Sequence, residues 1–158
     1  MMNFADYICF EASVPNMEVN DRDDAISTLV HALDKVGKLR SGTCDEIIAS
    51  VIERENEAST GMGRGVAVPH VKHAAVKDIV GSVGQIPAGV DFAALDKQPV
   101  FAIILLISPT DVPDKHLQAM ENVFKHLQEE KFRRFLRQTN SMEAIEDLLR
   151  EADDNPSW

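Results

Sequence analysis

The chain is expected to fold as α/β, with a small, mixed, mostly parallel sheet flanked by helices on both faces. Three observations carry that expectation. Between Asp21 and Val36 the apolar residues Ala25, Ile26, Leu29, Val30, Leu33 and Val36 recur at helical spacing. The run Val100–Ile107 is apolar without polar alternation, the pattern of a strand buried on both faces. Segments of the two kinds alternate along the 158 residues, which places helices in layers over a sheet.

In chain order, Tyr7–Ala12 reads as a short strand. The helix over Asp21–Val36 is stopped by Gly37. Thr43 and Glu46 have capping-box spacing and open a second helix through Ile47, Ile48, Val51 and Ile52 to about Asn56, with Arg54 in its last turn. Val66–Val68, Ile79–Ile86 and Val100–Ile107 read as strands. Pro109 and Pro113 bracket a turn, after which Asp114 caps a helix carrying Leu117, Met120, Val123, Phe124 and Leu127. Phe132, Phe135 and Leu136 mark a short helix, and Ser141 caps a last one with Ile145, Leu148 and Leu149 inward. No repeat or linker divides the chain, so one domain is expected over residues 1–152, with a tail at 153–158.

A composition of 44% hydrophobic and 27% charged residues is that of a water-soluble globular protein. The longest apolar run is far short of a bilayer span, and the first residues lack the basic start and apolar stretch of a signal peptide, so a cytoplasmic protein is expected. Cys9 and Cys44 lack metal-type spacing and read as packing residues of a reducing compartment. A net charge of −10 argues against nucleic acid as a partner.

The chemistry is expected at Gly61-Met62-Gly63-Arg64-Gly65-Val66-Ala67-Val68-Pro69-His70. Its glycines permit positive φ or close backbone approach, and Pro69 fixes φ just before His70. Neutral imidazole is a nucleophile near pH 7 and holds a phosphoryl group on nitrogen, which needs positioning and charge compensation rather than a metal. Arg54 offers a planar guanidinium for phosphoryl oxygens. His116, near a helix start, is placed to contact the group or the imidazole. Ser59 and Thr60 either donate hydroxyls to that site or cap the loop. Asp91, Phe92 and Asp96 belong to a turn. His70 and His73 have a metal-pair spacing, but no cysteine or carboxylate cluster accompanies them and no metal is expected. His31 and His126 read as partly exposed residues within helices.

Arg54-Glu55, the segment Ser59–His70, Gly89-Val90-Asp91-Phe92, Asp96-x-x-Pro99-Val100 and His116-Leu117 together resemble the enzyme IIA domains of the bacterial phosphotransferase system, in its mannitol/fructose and nitrogen-regulatory class. That resemblance implies a compact α/β fold and an active site of Arg54, His70 and His116, with His70 the phosphorylated residue and no cofactor. It implies phosphorylation by an HPr-type carrier and onward transfer to an enzyme IIB domain, or a regulatory use of the phosphorylated state, which the Gly-Met-Gly-x-Gly-Val-Ala-Val-Pro-His form favours. The alternative is a domain of the same fold that is never phosphorylated and acts by protein contact alone. The chain departs from the pattern directly after His70: many relatives have a small residue, often glycine, where Val71-Lys72-His73 stand here.

Overall fold

A computed structural model of the chain describes residues 2–155. Two 3-10 turns, Phe4–Asp6 and Phe10–Ala12, precede helices α1 (Arg22–Lys35) and α2 (Cys44–Glu57). Strands β1 (Val66–Ala67), β2 (His70–Lys72), β3 (Val80–Val90) and β4 (Val100–Ser108) follow, then helices α3 (Pro113–Leu127), α4 (Glu130–Gln138) and α5 (Met142–Asp154). The mixed α/β architecture is the expected one.

The sheet is organised around β4. On one side β1 and β2 pair with it in parallel, Val66 opposite Ala102 and His70 opposite Leu106, so the two short strands keep one register. They are in effect one strand broken at Val68-Pro69. On the other side β3 runs antiparallel, with an irregularity between Gln85 and Val90. Beyond β3, Ile8 and Val14 make single parallel bridges to Gly81 and Gly84.

Strand alternation divides the interior into two layers. Ile103, Leu105 and Ile107 pack with Leu29, Leu33, Ile47 and Val51 of α1 and α2. Ala102, Ile104 and Leu106 pack with Val123, Phe132, Ile145 and Leu149 of α3, α4 and α5. The same alternation continues through the broken strand: Val66 and Val68 belong to the α3–α5 layer, Ala67 and Val71 to the α1–α2 layer. His70 and Lys72, in phase with Val68, therefore point to the α3 side.

Several local expectations are corrected. Tyr7–Ala12 is not a strand, because its backbone closes on itself in 3-10 turns and only Ile8 bridges the sheet. Thr43 does begin α2, but its hydroxyl donates to the Arg40 carbonyl at 2.6 Å rather than accepting from the helix, so the capping box is not made. Asp114 is not the cap of α3: Pro113 occupies the first turn and Val112 is the flanking residue, with no side-chain cap. Ser141 caps α5 as expected, accepting from Ala144 N, and Asp21 caps α1, accepting from Asp24 N. Helix α5 continues through Asp154, two residues into the expected tail, and the Asp153 carboxylate accepts from the Phe4 and Ala5 amides. Residues 156–158 of that tail lie outside the described residues. His126 is not partly exposed: it is buried against the stacked rings of Phe4 and Phe132, with Nδ1 2.9 Å from the Asn122 carbonyl.

Candidate functional site

The site forms at the carboxyl ends of β2 and β4, the end at which parallel α/β sheets present ligands. Pro69 lacks an N–H and interrupts the strand, while its carbonyl still accepts from Leu106 N at 3.0 Å. The chain then resumes pairing at His70, so this side chain is mounted on strand β2 rather than on a loop.

The His70 ring is oriented by the break that precedes its strand: Nδ1 lies 2.8 Å from the Val68 carbonyl. A carbonyl only accepts, so Nδ1 carries the proton and Nε2 of the neutral ring holds the free lone pair. His116, in the first turns of α3, lies with its ring centroid 5.6 Å from that of His70, tilted by 47°. Its Nδ1 is 2.6 Å from the hydroxyl of Ser108, the last residue of β4.

Burial chiefly pushes His70 below the ordinary histidine range. The Val68 carbonyl opposes that shift; Arg54 and Lys72 add to it, and Glu55 opposes it. His116 is pushed down to about 4, first by burial and then by the charges of His70 and Lys72. Both imidazoles are therefore neutral at pH 7.

Arg54 stands in the last turn of α2 with Nη1 donating to the Ala58 carbonyl at 3.1 Å, close enough to His70 for its charge to depress proton affinity there. The neighbouring Glu55 is buried and anchors the glycine loop. Its carboxylate accepts from Thr60 N at 2.6 Å and from Thr60 Oγ1 at 2.7 Å. Ser59 Oγ donates to the Phe92 carbonyl and accepts from Gly61 N. Of the two roles open to Ser59 and Thr60, the structure gives them loop capping. At Gly61 the backbone passes so close to Ala94 that an added Cβ would lie 2.8 Å from the Ala94 Cβ. Asp96 accepts from Arg64 N and Gln98 N and Asp91 from Ala93 N, which places both in the turn as expected.

The structure thus brings Arg54, His70 and His116, remote in sequence, to one end of the sheet. It adds a residue that the sequence reading passed over. Lys72, two positions beyond His70 on the same strand face, is the charge common to the shifts of both histidines. Its signal was the period-2 alternation of a strand, visible only once His70 is placed on one. His73 is held elsewhere: Nδ1 accepts from Ala75 N, and Nε2 lies 3.2 Å from Glu46 Oε1. Among the described residues no group of three His, Cys, Asp or Glu side chains is arranged to hold a metal. No described helix is long and apolar enough to cross a membrane.

Residues 10–152 match the family described as "Phosphoenolpyruvate-dependent sugar phosphotransferase system, EIIA 2". The chain belongs to this EIIA family. It is 31% identical over 138 residues to the fructose-specific EIIABC component of Bacillus subtilis, a match that covers 87% of this chain and 21% of that protein. The chain thus spans about a fifth of the length of that relative. It is 28% identical over 148 residues to a nitrogen regulatory protein of Bradyrhizobium diazoefficiens, covering 94% of this chain and 95% of that one. Among solved structures, the nitrogen regulatory protein IIA-Ntr from Neisseria meningitidis superposes with a TM-score of 0.83 at 26% identity, covering 92% of this EIIA chain and 98% of that one.

Proposed function

We propose that this EIIA chain is a phosphoryl carrier in which His70 Nε2 accepts a phosphoryl group from a phosphohistidine of an HPr-type protein. The observation that carries the reading is the 2.8 Å hydrogen bond from His70 Nδ1 to the Val68 carbonyl, which leaves Nε2 as the nucleophile. In the transfer the donor's P–N bond breaks as the Nε2–P bond forms. The donor ring, protonated on its other nitrogen, leaves as neutral imidazole. The proton on His70 Nδ1 stays in place, and the Val68 carbonyl stabilises the positive charge that develops on the phosphorylated ring.

The remaining groups suit the charge of the phosphoryl oxygens. Arg54 and Lys72 supply positive charge without a metal. In this reading the Ser108 hydroxyl donates to His116 Nδ1, and the Nε2–H of the neutral ring hydrogen-bonds a phosphoryl oxygen. Leu117, next to His116, is 58% exposed and offers an apolar contact beside the site for a docking partner.

The acceptor is either a cysteine on an enzyme IIB domain or, in a regulatory use, a target whose docking depends on the phosphoryl charge. The similarity to nitrogen regulatory proteins along nearly their whole length supports the regulatory use. The protein is expected to act in the cytoplasm, where its donor resides.

The test is incubation with phosphoenolpyruvate, enzyme I and either a sugar-type or a nitrogen-type HPr, followed by mass spectrometry under conditions that preserve acid-labile adducts. One phosphoryl group mapped to His70 is the expected result. Absence of an adduct with both donors overturns the carrier reading in favour of a module that acts by contact alone.

A further inference from the structure

We propose that a cationic groove between α4 and the start of β4 is a second anion site, suited to a small ligand bearing two or more phosphates. A cavity of about 540 Å³ opens there, lined by Arg64 of the glycine loop, Phe101 of β4 and Arg133, Arg134 and Arg137 of α4. That volume lies within the ~300–1,000 Å³ of small-molecule sites. Four arginines and one carboxylate line the cavity; that carboxylate, Glu130, stands 3.6 Å from Arg134. This density of positive charge occurs in a chain whose net charge is −10.

The groove has a fixed floor. The Arg137 guanidinium lies over the Phe101 ring, 4.1 Å from its centroid. The Arg137 carbonyl accepts from Gln85 Nε2, which ties the end of α4 to β3. Gly65 (φ +85°) presses its backbone against this stack: an added Cβ would lie 3.3 Å from Phe101 and 3.4 Å from Arg137 Nη1. Arg133 is braced by donation from Nη1 to the Leu127 carbonyl at 2.7 Å, and Arg64 by its amide on Asp96 at 2.9 Å. Among the described residues neither Arg64 nor Arg137 pairs its guanidinium with a carboxylate. The Arg137 guanidinium, held over the Phe101 ring and unpaired to a carboxylate, is suited to bidentate contact with phosphate oxygens, with Arg64 beside it.

The groove is separate from the histidine site. Gly65 sits at the amino end of the broken strand and His70 five residues on, about 16 Å away at ~3.3 Å per residue. The proposal therefore stands whether or not His70 is phosphorylated.

The test is calorimetric titration of the full chain with inorganic pyrophosphate, tripolyphosphate and ADP at about 0.15 M salt. Saturable binding of one equivalent of at least one probe is expected. It should be weakened about tenfold or more by Arg137→Glu and by Arg64→Glu, weakened less by Arg137→Lys, and unchanged by His70→Ala. Tighter binding of ADP than of pyrophosphate assigns a nucleotide, whereas equal binding assigns the phosphate chain alone. Circular dichroism confirms folding of each variant, and the Arg64 variant, altered on an exposed loop, serves if the α4 variant unfolds. The proposal is overturned if no probe binds, if the arginine variants bind unchanged, or if binding is lost in His70→Ala instead.

Discussion

Val68 and His70 are joined across the Pro69 break: the Val68 carbonyl accepts from His70 Nδ1 at 2.8 Å. The free protein should therefore show the Nδ1–H tautomer of His70 in nitrogen-detected NMR, and the phosphorylated protein should carry phosphorus on Nε2. Phosphorus coupling to Nδ1 would refute the assignment. His70→Ala should abolish the adduct while leaving the circular dichroism spectrum unchanged.

The depressed proton affinities set a pH dependence. The unfolded chain binds a proton at position 116 near the ordinary histidine value of 6.5, the folded chain only at about 4. Between those values the unfolded state holds more protons, so stability is complete above 6.5 and declines as pH falls toward 4. The urea midpoint should drop over that window, and less in His116→Gln. Because His70 is also shifted down, phosphorylation should stay fast to a lower pH than an ordinary histidine would allow.

Lys72 lowers the proton affinity of both histidines. Replacing it with Gln should raise both, moving the acid limb of the rate profile to higher pH. If its charge also compensates the phosphoryl group, the rate should fall about tenfold, or roughly 1.4 kcal/mol. An unchanged profile in Lys72→Gln would remove the residue from the site.

Glu55 is buried and accepts both hydrogen bonds from Thr60. Glu55→Ala leaves a buried N–H and hydroxyl without their acceptor and should cost about 1–3 kcal/mol in urea unfolding. Phosphorylation should slow as well, because the loop leading to Pro69-His70 loses its anchor on α2. Thr60→Ala removes only the hydroxyl, since the amide at position 60 still donates to Glu55, and should cost less than Glu55→Ala.

Gly61→Ala should destabilise by about 1–3 kcal/mol, since the new methyl would meet Ala94 at 2.8 Å in a packed turn. Thermal unfolding of the variant reports the loss, and no change would mean that the turn shifts freely.

What the sequence made legible follows from its physical signals. Helices α1 and α5 show 3.6-residue periodicity with side-chain caps at Asp21 and Ser141, and both form as read. Strand β4 is apolar from Val100 to Ile107 because helices cover it from both sides. Strand β2 was not legible: His70-Val71-Lys72 is short, polar at both ends, and a strand only because Leu106, Ile107 and Ser108 offer it a partner. The N-terminal segment misled for the opposite reason, since Tyr7 and Ile8 are buried like strand residues while the backbone turns locally. The family resemblance named Arg54, His70 and His116, and the fold gathers them at one end of the sheet. Lys72 stands out only as part of the departure after His70, and the arginines of α4 not at all, because a shared face between chain-distant elements leaves no periodic trace.

The central place of β4 divides the molecule by how readily it opens. Amides of Ile103 to Leu106 lie between two buried layers, so they should exchange with deuterated solvent only when the whole protein unfolds. Strand β2 has a single neighbouring strand and three residues, so its amides belong to the fringe that opens locally. The histidine thus rides on the part of the sheet best able to move apart from its support, while the strand that supports it stays closed.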